Sequence, residues 1–457
     1  MSNDTNSVNR YISMFTILDE ELSGEVIYDK HSGTIILNLA KQLDERVFFG
    51  KSYAKIPVIY GQINTGAVVT LYNNNCINNH TQAGQAQRIY FSSEYLIWSN
   101  TSKIDTHFNE LVCTIKNAFF WSQLSVFEKN GFWIKYKEEQ DIREFNWFGM
   151  KVVFSVYSNE NFWSLPDYEE KTLVQRVRMS ISNKEKKSLK EFITVRDKII
   201  ALISFAVKNN VNVDEEYLVD FDDNPEDRLK HYLLSARREL EVYDSYIWDY
   251  NFTMNQLPTN KDINEELEKL VPIFNMYLSL FKYRDMPIEM IFLNIVQALE
   301  TFHSRFFYND KKKNYVESVV QRFSNSGAYD FYKKKLLSDT QMDENCNYII
   351  LVSRLNDLLI GNDNPLFYEY WRSEDDYAQV IADTRHYYTH YSSAKEKKAL
   401  KGDDLRDSIY VLSRLLEYHI CNILGIDIEG RIRRELKSHE SWKQLEKTQN
   451  RNTIDNS

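Results

Sequence analysis

The spacing of hydrophobic residues changes once along this chain of 457 residues. Up to about residue 180, short runs of β-branched and aromatic residues alternate with Gly, Asn, Asp and Ser, which is typical of strands joined by turns. From about residue 184, apolar residues recur at the spacing of amphipathic helices. Only 13 Gly and 7 Pro occur, which fits long helices. The pattern predicts an α+β protein with a β-rich N-terminal domain and then an all-α helical bundle.

The chain is too long for one ordinary domain, so we divide it into four segments. A β-rich domain, either a sandwich or a barrel that can include one short helix, is predicted over residues 1–183. A helical extension and connector follows at 184–260, and the helical bundle occupies 261–430. The polar residues 431–457 are predicted to form a solvated tail.

Helices are predicted from apolar periodicity and from start and stop signals. In the extension they lie at 184–207 and 228–243, and in the bundle at 263–283, 286–308, 314–323, 343–360, 373–392 and 403–424. Gly361 and Gly425 end two of them, and Ser373, in an S-x-x-D start signal, is the expected N-cap of another.

Bulk properties narrow the function classes. The net charge of -10 means that any nucleic acid must be bound by a local basic patch. The four cysteines form no C-x-x-C pair, which favours neither a zinc site nor a disulfide framework. The longest strongly apolar run, about Ile199 to Val207, is far shorter than the roughly 20 residues of a membrane span. We therefore expect a cytoplasmic protein without a membrane segment. Because the sequence contains no carboxylate-rich cluster that suggests a metal, we predict neither a metal nor another cofactor.

The helix predicted at 373–392 combines an apolar stripe with a polar face. The stripe comprises Tyr377, Val380, Ile381, Thr384, Tyr387, Tyr388 and Tyr391. Arg385, His386, Thr389 and His390 then point away from the core, toward water, a groove or a second subunit. A permanently charged Arg and a His that titrates near neutrality are suited to phosphodiester chemistry.

The Arg-to-His spacing is not specific by itself. Arg414 and His419 have the same separation, and so have Arg434 and His439. His419, however, lies on the apolar stripe of its predicted helix, and the last pair falls in the predicted tail. Arg385 and His390 are distinguished from the other two pairs because they lie on a polar helix face that points away from the core. Their spacing does not distinguish them.

Several segments carry a family resemblance. Residues 385–390 resemble the R-x4-6-H motif of HEPN domains, and 383–391 are similar to the Apea-like HEPN family in particular. Residues 292–303, with A-L-E-x-x-H, resemble an early helix of that family. The strands at 24–29 and 66–72 look like the β-rich domain that precedes the HEPN domain in ApeA-type proteins.

This resemblance implies a metal-independent endoribonuclease of anti-phage defence by abortive infection. It would cut RNA, with tRNA among the candidates, as a homodimer or higher homo-oligomer formed through the HEPN domain, in response to an unknown phage-derived trigger. Arg385 would stabilise the phosphate and His390 would act as acid or base, with His386 as a second acid/base or phosphate-binding group. Thr389 could hydrogen-bond to either histidine.

Other residues receive weighed roles. Glu300 either pairs with Arg385 and orients it or is a charge at the flank of its helix, and His303 is expected to be a buried, hydrogen-bonded structural residue. A basic patch could bind RNA or be an ordinary solvated face, and its candidates are Lys333, Lys334, Lys335 and Lys395.

Two other functions remain open at this point. The first is a non-catalytic HEPN-like module that binds nucleotides or dimerises, combined with a ligand-binding β domain. The second is a carbohydrate- or protein-binding receptor whose helical half is purely structural.

Overall fold

The structure is a computed structural model. It describes residues 8–17, 20–40, 55–63, 66–80, 88–99, 106–130, 133–137, 141–158, 174–221, 228–243, 249–258, 262–282, 285–307, 350–360, 365–367, 370 and 376–440. The chain divides into two compact units. We call Met1–Ile200 with Val211–Val242 the N-terminal unit, and Ala201–Asn210 with Tyr243–Ser457 the C-terminal unit.

The described part of the N-terminal unit is built mainly from strands, which confirms the predicted β-rich region. The strands are β1 (Val8–Ile17), β2 (Glu20–Asp29), β3 (Thr34–Leu39), β4 (Lys55–Ile63), β5 (Val68–His80), β6 (Arg88–Ser93), β7 (Tyr95–Ser99), β8 (His107–Lys116), β9 (Phe127–Asn130), β10 (Trp133–Tyr136), β11 (Ile142–Trp147), β12 (Met150–Ser158), β13 (Gln175–Ser188), β14 (Asn212–Asp220) and β15 (Leu229–Ser235). A four-residue helix, α1 (Phe119–Ser122), follows β8.

Thirteen of these strands form one antiparallel sheet in the order β11-β12-β13-β8-β14-β15-β7-β5-β4-β1-β2-β3-β6, and β9 pairs with β10 separately. Because β6 also pairs with β5, the six strands β5, β4, β1, β2, β3 and β6 close into a barrel. The first half of β5 pairs with β7 and its second half with β6. Strand β5 therefore belongs to both the barrel and the open sheet.

The barrel interior is apolar and tightly filled. Its fully buried residues include Phe15, Val26, Leu37 and Phe91. A Cβ atom added to Gly61 would lie 2.6 Å from the Phe15 ring, so that position needs a glycine. This packing accounts for the alternation of buried and exposed residues along the strands.

The segment at 184–260 differs from its prediction. Strand β13 extends to Ser188, so the helix expected at 184–207 begins later, as α2 (Leu189–Val207). The helix expected at 228–243 is wrong, because this stretch contains strand β15. His231 and Leu233 are buried there while Tyr232 is exposed, and this alternation is that of a strand. The predicted boundaries after residues 183 and 260 remain predictions.

Helices dominate the described part of the C-terminal unit, as the sequence predicts. They are α3 (Asn264–Tyr277), α4 (Ser279–Lys282), α5 (Ile288–Phe302), α6 (Leu351–Ile360), α7 (Tyr377–His390), α8 (Ser393–Glu396), α9 (Gly402–Ile423) and α10, which spans 429–440. A π-helical turn, His303–Phe307, follows α5. Helix α5 packs against α3 and α9, and α7 packs against α6 and α5.

Several predicted helix bounds need correction. The helix expected at 263–283 is divided into α3 and α4, and the one expected at 373–392 is the shorter α7. Asp376 is the N-cap of α7, whereas Ser373 lies outside the described residues, as does the helix expected at 314–323. Gly425 follows α9 at φ 77°, and the backbone bond from Ile426 to Cys421 completes a Schellman motif, so the predicted stop is confirmed.

The predicted solvated tail is wrong for residues 431–440. These residues belong to helix α10, in which Ile432 and Leu436 are buried. Ile432 and Leu436 lie four positions apart, which is the spacing of an amphipathic helix. The polar residues around them make this short apolar pattern difficult to recognise in the sequence. Residues 441–457 lie outside the described part of the chain.

Among the described residues, no helix is both long enough and apolar enough to span a membrane.

Candidate active site

Helix α7 turns its polar face outward. Ile381 and Thr384 are buried, Arg385 is partly exposed, and His386 and His390 lie on the surface. The predicted orientation of the Arg and the two His away from the core is thereby confirmed. Packing of the opposite face against α5 and α6 fixes this orientation.

Both ends of α7 are defined by local interactions. At its start, the Asp376 side chain accepts a bond from the backbone N–H of Gln379. At its end, Tyr391 adopts a left-handed conformation, and its N–H bonds to the carbonyl of Tyr387. The helix therefore stops immediately after His390.

The guanidinium of Arg385 is held by two side chains of α5. Its Nη2 atom donates to Glu300 Oε2 at 3.1 Å and to Gln297 Oε1 at 3.3 Å. Glu300 and Gln297 lie one turn apart on the same face of α5, which presents both oxygens to one nitrogen. The Arg385 side chain remains 35% exposed, and its other N–H groups have no partner among the described residues. The Glu300 pairing considered from the sequence is thus present.

The two histidines of α7 form a pair on the surface. Their ring centroids lie 4.9 Å apart at an interplanar angle of 53°. Four residues separate His386 from His390, so consecutive helical turns bring the two rings together. The Thr389 hydroxyl donates instead to the backbone carbonyl of Arg385 at 2.8 Å, and the described contacts include no bond from it to either histidine.

Behind this face, Asp383 is a buried acceptor. It is 4% exposed and accepts from Gln379 Nε2 at 2.9 Å and from Lys395 Nζ at 2.6 Å. Lys395 therefore forms an ion pair that holds the segment after α7 against the helix. Its RNA-binding role remains a prediction, and the other basic candidates, Lys333, Lys334 and Lys335, lie outside the described residues.

The segment 391–401 folds back along α7, which the sequence did not reveal. The hydroxyl of Thr384 accepts from the Leu400 N–H at 3.1 Å, and the Tyr388 hydroxyl donates to the Leu400 carbonyl at 2.9 Å. Tyr391, expected on the core stripe, is 71% exposed instead. The reason is the left-handed turn at Tyr391, which takes the residue off the helical path.

His303 has the structural role that the sequence predicts. Its Nε2 atom lies 2.7 Å from Asp357 Oδ2, and both side chains are fully buried. Its ring stacks on Phe307, with the centroids 5.5 Å apart. This pair ties the π-helical turn after α5 to α6.

The duplicate Arg–His pairs belong to the interior or to other contacts. His419 is buried and its Nε2 atom lies 2.8 Å from the Leu358 carbonyl oxygen. His439, placed in α10 and not in a free tail, stacks on Tyr410 and lies 3.2 Å from Asp407.

Arg414 is part of a group that we call the buried charge cluster. Its members are Lys208, Arg414, Glu417, Arg431 and Glu435. At its centre, Glu417 is fully buried and accepts from Arg414 at 2.7 Å and from the Tyr277 hydroxyl at 2.6 Å. Burial alone would raise the pKa of Glu417, but the charges of Arg414, Lys208 and Arg431 outweigh it and lower the pKa to about 2.

Metal ligands are not clustered in the described part of the chain. No group of three or more His, Cys, Asp or Glu side chains comes together there with the geometry of an ion site.

Comparison with known protein families finds two matches along the chain. The ApeA N-terminal domain 1 family matches residues 10–272, more than half of the chain. The chain belongs to the ApeA family. The Apea-like HEPN family matches residues 293–429 of this ApeA-type protein, a range that includes Glu300, Arg385 and His390. A comparison with curated proteins finds no match. HEPN domains are generally ribonucleases, and the two domains together suggest a nuclease of anti-phage defence.

Proposed function

We propose that this ApeA-type protein is an endoribonuclease that cleaves RNA in its HEPN domain by attack of the 2′-hydroxyl on the adjacent phosphorus. The observation that carries the proposal is the exposed face of α7, on which Arg385 and His390 are both accessible. The membership of residues 293–429 in the Apea-like HEPN family supports the same reaction class.

Arg385 would stabilise charge on the phosphate. The guanidinium is charged at every physiological pH and offers forked donors that match two phosphate oxygens. Glu300 and Gln297 use only its Nη2 atom, so donors remain for the non-bridging oxygens. As negative charge builds during attack, these bonds would strengthen and lower the barrier.

His390 would move the proton. Neutral imidazole can remove the proton of the 2′-hydroxyl as the new P–O bond forms, and imidazolium can protonate the departing 5′-oxygen. His386, whose ring contacts that of His390, would serve as the second of these two groups or would bind phosphate. The products would be a 2′,3′-cyclic phosphate and a 5′-hydroxyl, and the chemistry needs no metal.

A second copy of the chain would complete the site. The polar face of α7 is exposed in the single chain, and two such faces opposed across a two-fold axis would enclose an RNA strand between two sets of catalytic groups. We propose a homodimer or higher homo-oligomer formed through the HEPN domain. Such a ribonuclease would act on RNA, tRNA included, in the cytoplasm once a phage-derived trigger releases it, and so abort the infection.

The decisive experiment compares the wild type with Arg385→Ala and His390→Ala. Cells expressing each form are challenged with phage, and total RNA is examined for cleavage and for cyclic phosphate ends. Either substitution is expected to reduce cleavage at least about 100-fold, since each removes a main source of transition-state stabilisation.

Matched controls come from surface residues of the same types. Arg406, which pairs with Asp403 at 2.6 Å, and the exposed His31 are replaced by alanine in parallel and are expected to leave cleavage unchanged. Intact RNA in the wild type, or equal cleavage in all variants, would contradict the ribonuclease proposal.

A further inference from the structure

The side chain of Tyr391, the residue directly after His390, is unusually exposed to solvent for a large aromatic residue. Its side chain is 71% exposed, more than any other large hydrophobic side chain among the described residues. A tyrosine ring left in water gives up the burial that usually stabilises aromatic side chains. Packing among the described residues therefore does not account for an aromatic residue at this position.

Its backbone conformation is also unfavourable for tyrosine. Tyr391 has φ 47° and ψ 40°, in the left-handed region. Glycine or asparagine usually occupies such a helix end, and other residues cost about 1–2 kcal/mol more there. Strained backbone of this kind tends to be found at functional sites, where it aims a side chain.

The ring is nevertheless held in place. It contacts Tyr387 edge-on with the centroids 5.7 Å apart, and Lys401 lies 5.4 Å from the Tyr387 ring centre. The segment that begins at Tyr391 is fixed by the bonds of Leu400 to Thr384 and Tyr388. Tyr391 thus presents an ordered aromatic surface to solvent.

Free cations accompany this surface. Lys397 and Lys398 lie in the same folded-back segment, are exposed, and form no ion pair within the described residues. An open aromatic ring combined with unpaired lysines is the usual composition of a site for single-stranded nucleic acid, in which bases stack on the ring and phosphates are attracted by the cations.

We propose that Tyr391 stacks on a nucleobase of single-stranded RNA, next to the phosphodiester on which Arg385 and His390 act. The inference rests on the proposed ribonuclease function and adds that the substrate is unpaired at the cleavage point. In a duplex, neighbouring base pairs already cover both faces of each base, so double-stranded RNA would be a poor substrate.

The test measures RNA binding without cleavage. The full chain carrying His390→Ala is titrated into a short single-stranded RNA that contains 2-aminopurine, whose fluorescence is quenched when the base stacks on an aromatic ring. Tyr391→Gly and Tyr391→Phe are added to this background. Glycine suits the left-handed backbone, so Tyr391→Gly removes the ring without disturbing the turn.

Tyr391→Gly is expected to weaken binding about 5- to 100-fold and to abolish the quenching. Tyr391→Phe should restore most of both, because the stacking surface is kept. Phe120, which is 61% exposed in the N-terminal unit, supplies the control variant Phe120→Ala, with no expected effect. Equal binding and equal quenching in the parent and in Tyr391→Gly would overturn the proposal.

Two other outcomes are decisive. If Tyr391→Gly lowers the oligomeric state in sedimentation velocity while the quenching by bound RNA persists, the ring packs against a second copy and the proposal is wrong. If the parent binds no single-stranded RNA, the stacking proposal also fails. Cleavage by the wild type is measured separately, so the ribonuclease proposal can survive either result.

Discussion

Helices α7 and α9 each carry an arginine followed five positions later by a histidine, in opposite surroundings. On α7, the Arg385 side chain is 35% exposed and His390 lies on the surface. On α9, the Arg414 side chain is 13% exposed and His419 is 4% exposed. Arg385 shares one nitrogen with partners on a neighbouring helix, whereas Arg414 is committed to the buried charge cluster. The same spacing thus gives an exposed pair on α7, for which we propose a catalytic role, and a buried pair on α9 that is part of the interior.

The largest expected difference is in folding stability. Arg414→Ala should lower the free energy of unfolding by about 3–5 kcal/mol, because it leaves the buried Glu417 and the half-buried Glu435 with less compensating charge. Arg385→Ala should lower it by less than about 1 kcal/mol, since its ion pair is partly exposed. Urea unfolding followed by far-UV circular dichroism measures both. Equal losses in the two variants would remove the distinction between the helices.

The buried charge cluster also predicts a dependence on pH. The pKa of Glu417 is lowered from 4.5 to about 2, so the folded state favours the ionised carboxylate. This contribution to stability is complete above about pH 4.5 and is lost as the pH falls from there toward 2, and it amounts to about 3 kcal/mol. Glu417→Gln should be less stable than the wild type near neutral pH and should lose less stability over this acid range. Parallel pH profiles of the two proteins would refute this assignment.

A smaller effect is expected at Glu300, which we regard as a positioning residue for Arg385. Glu300→Gln should lower kcat about tenfold with little change in KM or stability, because the neutral amide holds the guanidinium more weakly. The control is Glu265→Gln, since Glu265 is exposed and also pairs with a cation, Lys269. A change in KM alone, or the same loss of kcat in the control, would argue against positioning.

The smallest effect is expected at the surface cations. Replacing Lys397 and Lys398 together by glutamine should weaken binding of single-stranded RNA by less than about tenfold. The slope of the logarithm of the binding constant against the logarithm of the salt concentration should fall by the amount expected for the loss of about one to two phosphate contacts. The exposed Lys55 and Lys190 provide a control with the same change of charge. An unchanged salt slope in the first variant would exclude these two lysines from the RNA path.

The local parts of this comparison are predictable from the sequence. The period of 3.6 residues places Ile381 and Thr384 on one side of α7 and His386 and His390 on the other, whatever the rest of the fold does. Nearest-turn contacts, such as that between the two histidine rings, follow from the same geometry. The division into a β-rich part and a helical part also follows from the sequence, because the alternation typical of strands differs clearly from the repeat of 3.6 residues typical of helices.

What could not be predicted depends on contacts between distant residues or on local backbone turns. The alternating pattern identifies β5 as a strand, but no pattern indicates that it pairs with β4, β6 and β7. No glycine marks the left-handed turn at Tyr391. The sequence therefore predicts a helix that continues past His390, which places the Tyr391 ring on the core side and not in solvent. The ion pair of Lys395 with Asp383 needs the folded-back segment, which only the assembled structure reveals.

The shared strand β5 restricts how this protein can be divided into fragments. Residues Val68–Tyr72 pair with β7, Asn73 has a φ of 54°, and residues Asn75–His80 of the same strand pair with β6. A fragment that keeps only the barrel would leave the first stretch paired with β4 but with unpaired N–H and C=O groups along the edge that faces β7. Such an open edge promotes aggregation through strand addition from other chains. Any shortened version for crystallisation or binding assays should therefore keep β7 and its neighbours together with the barrel.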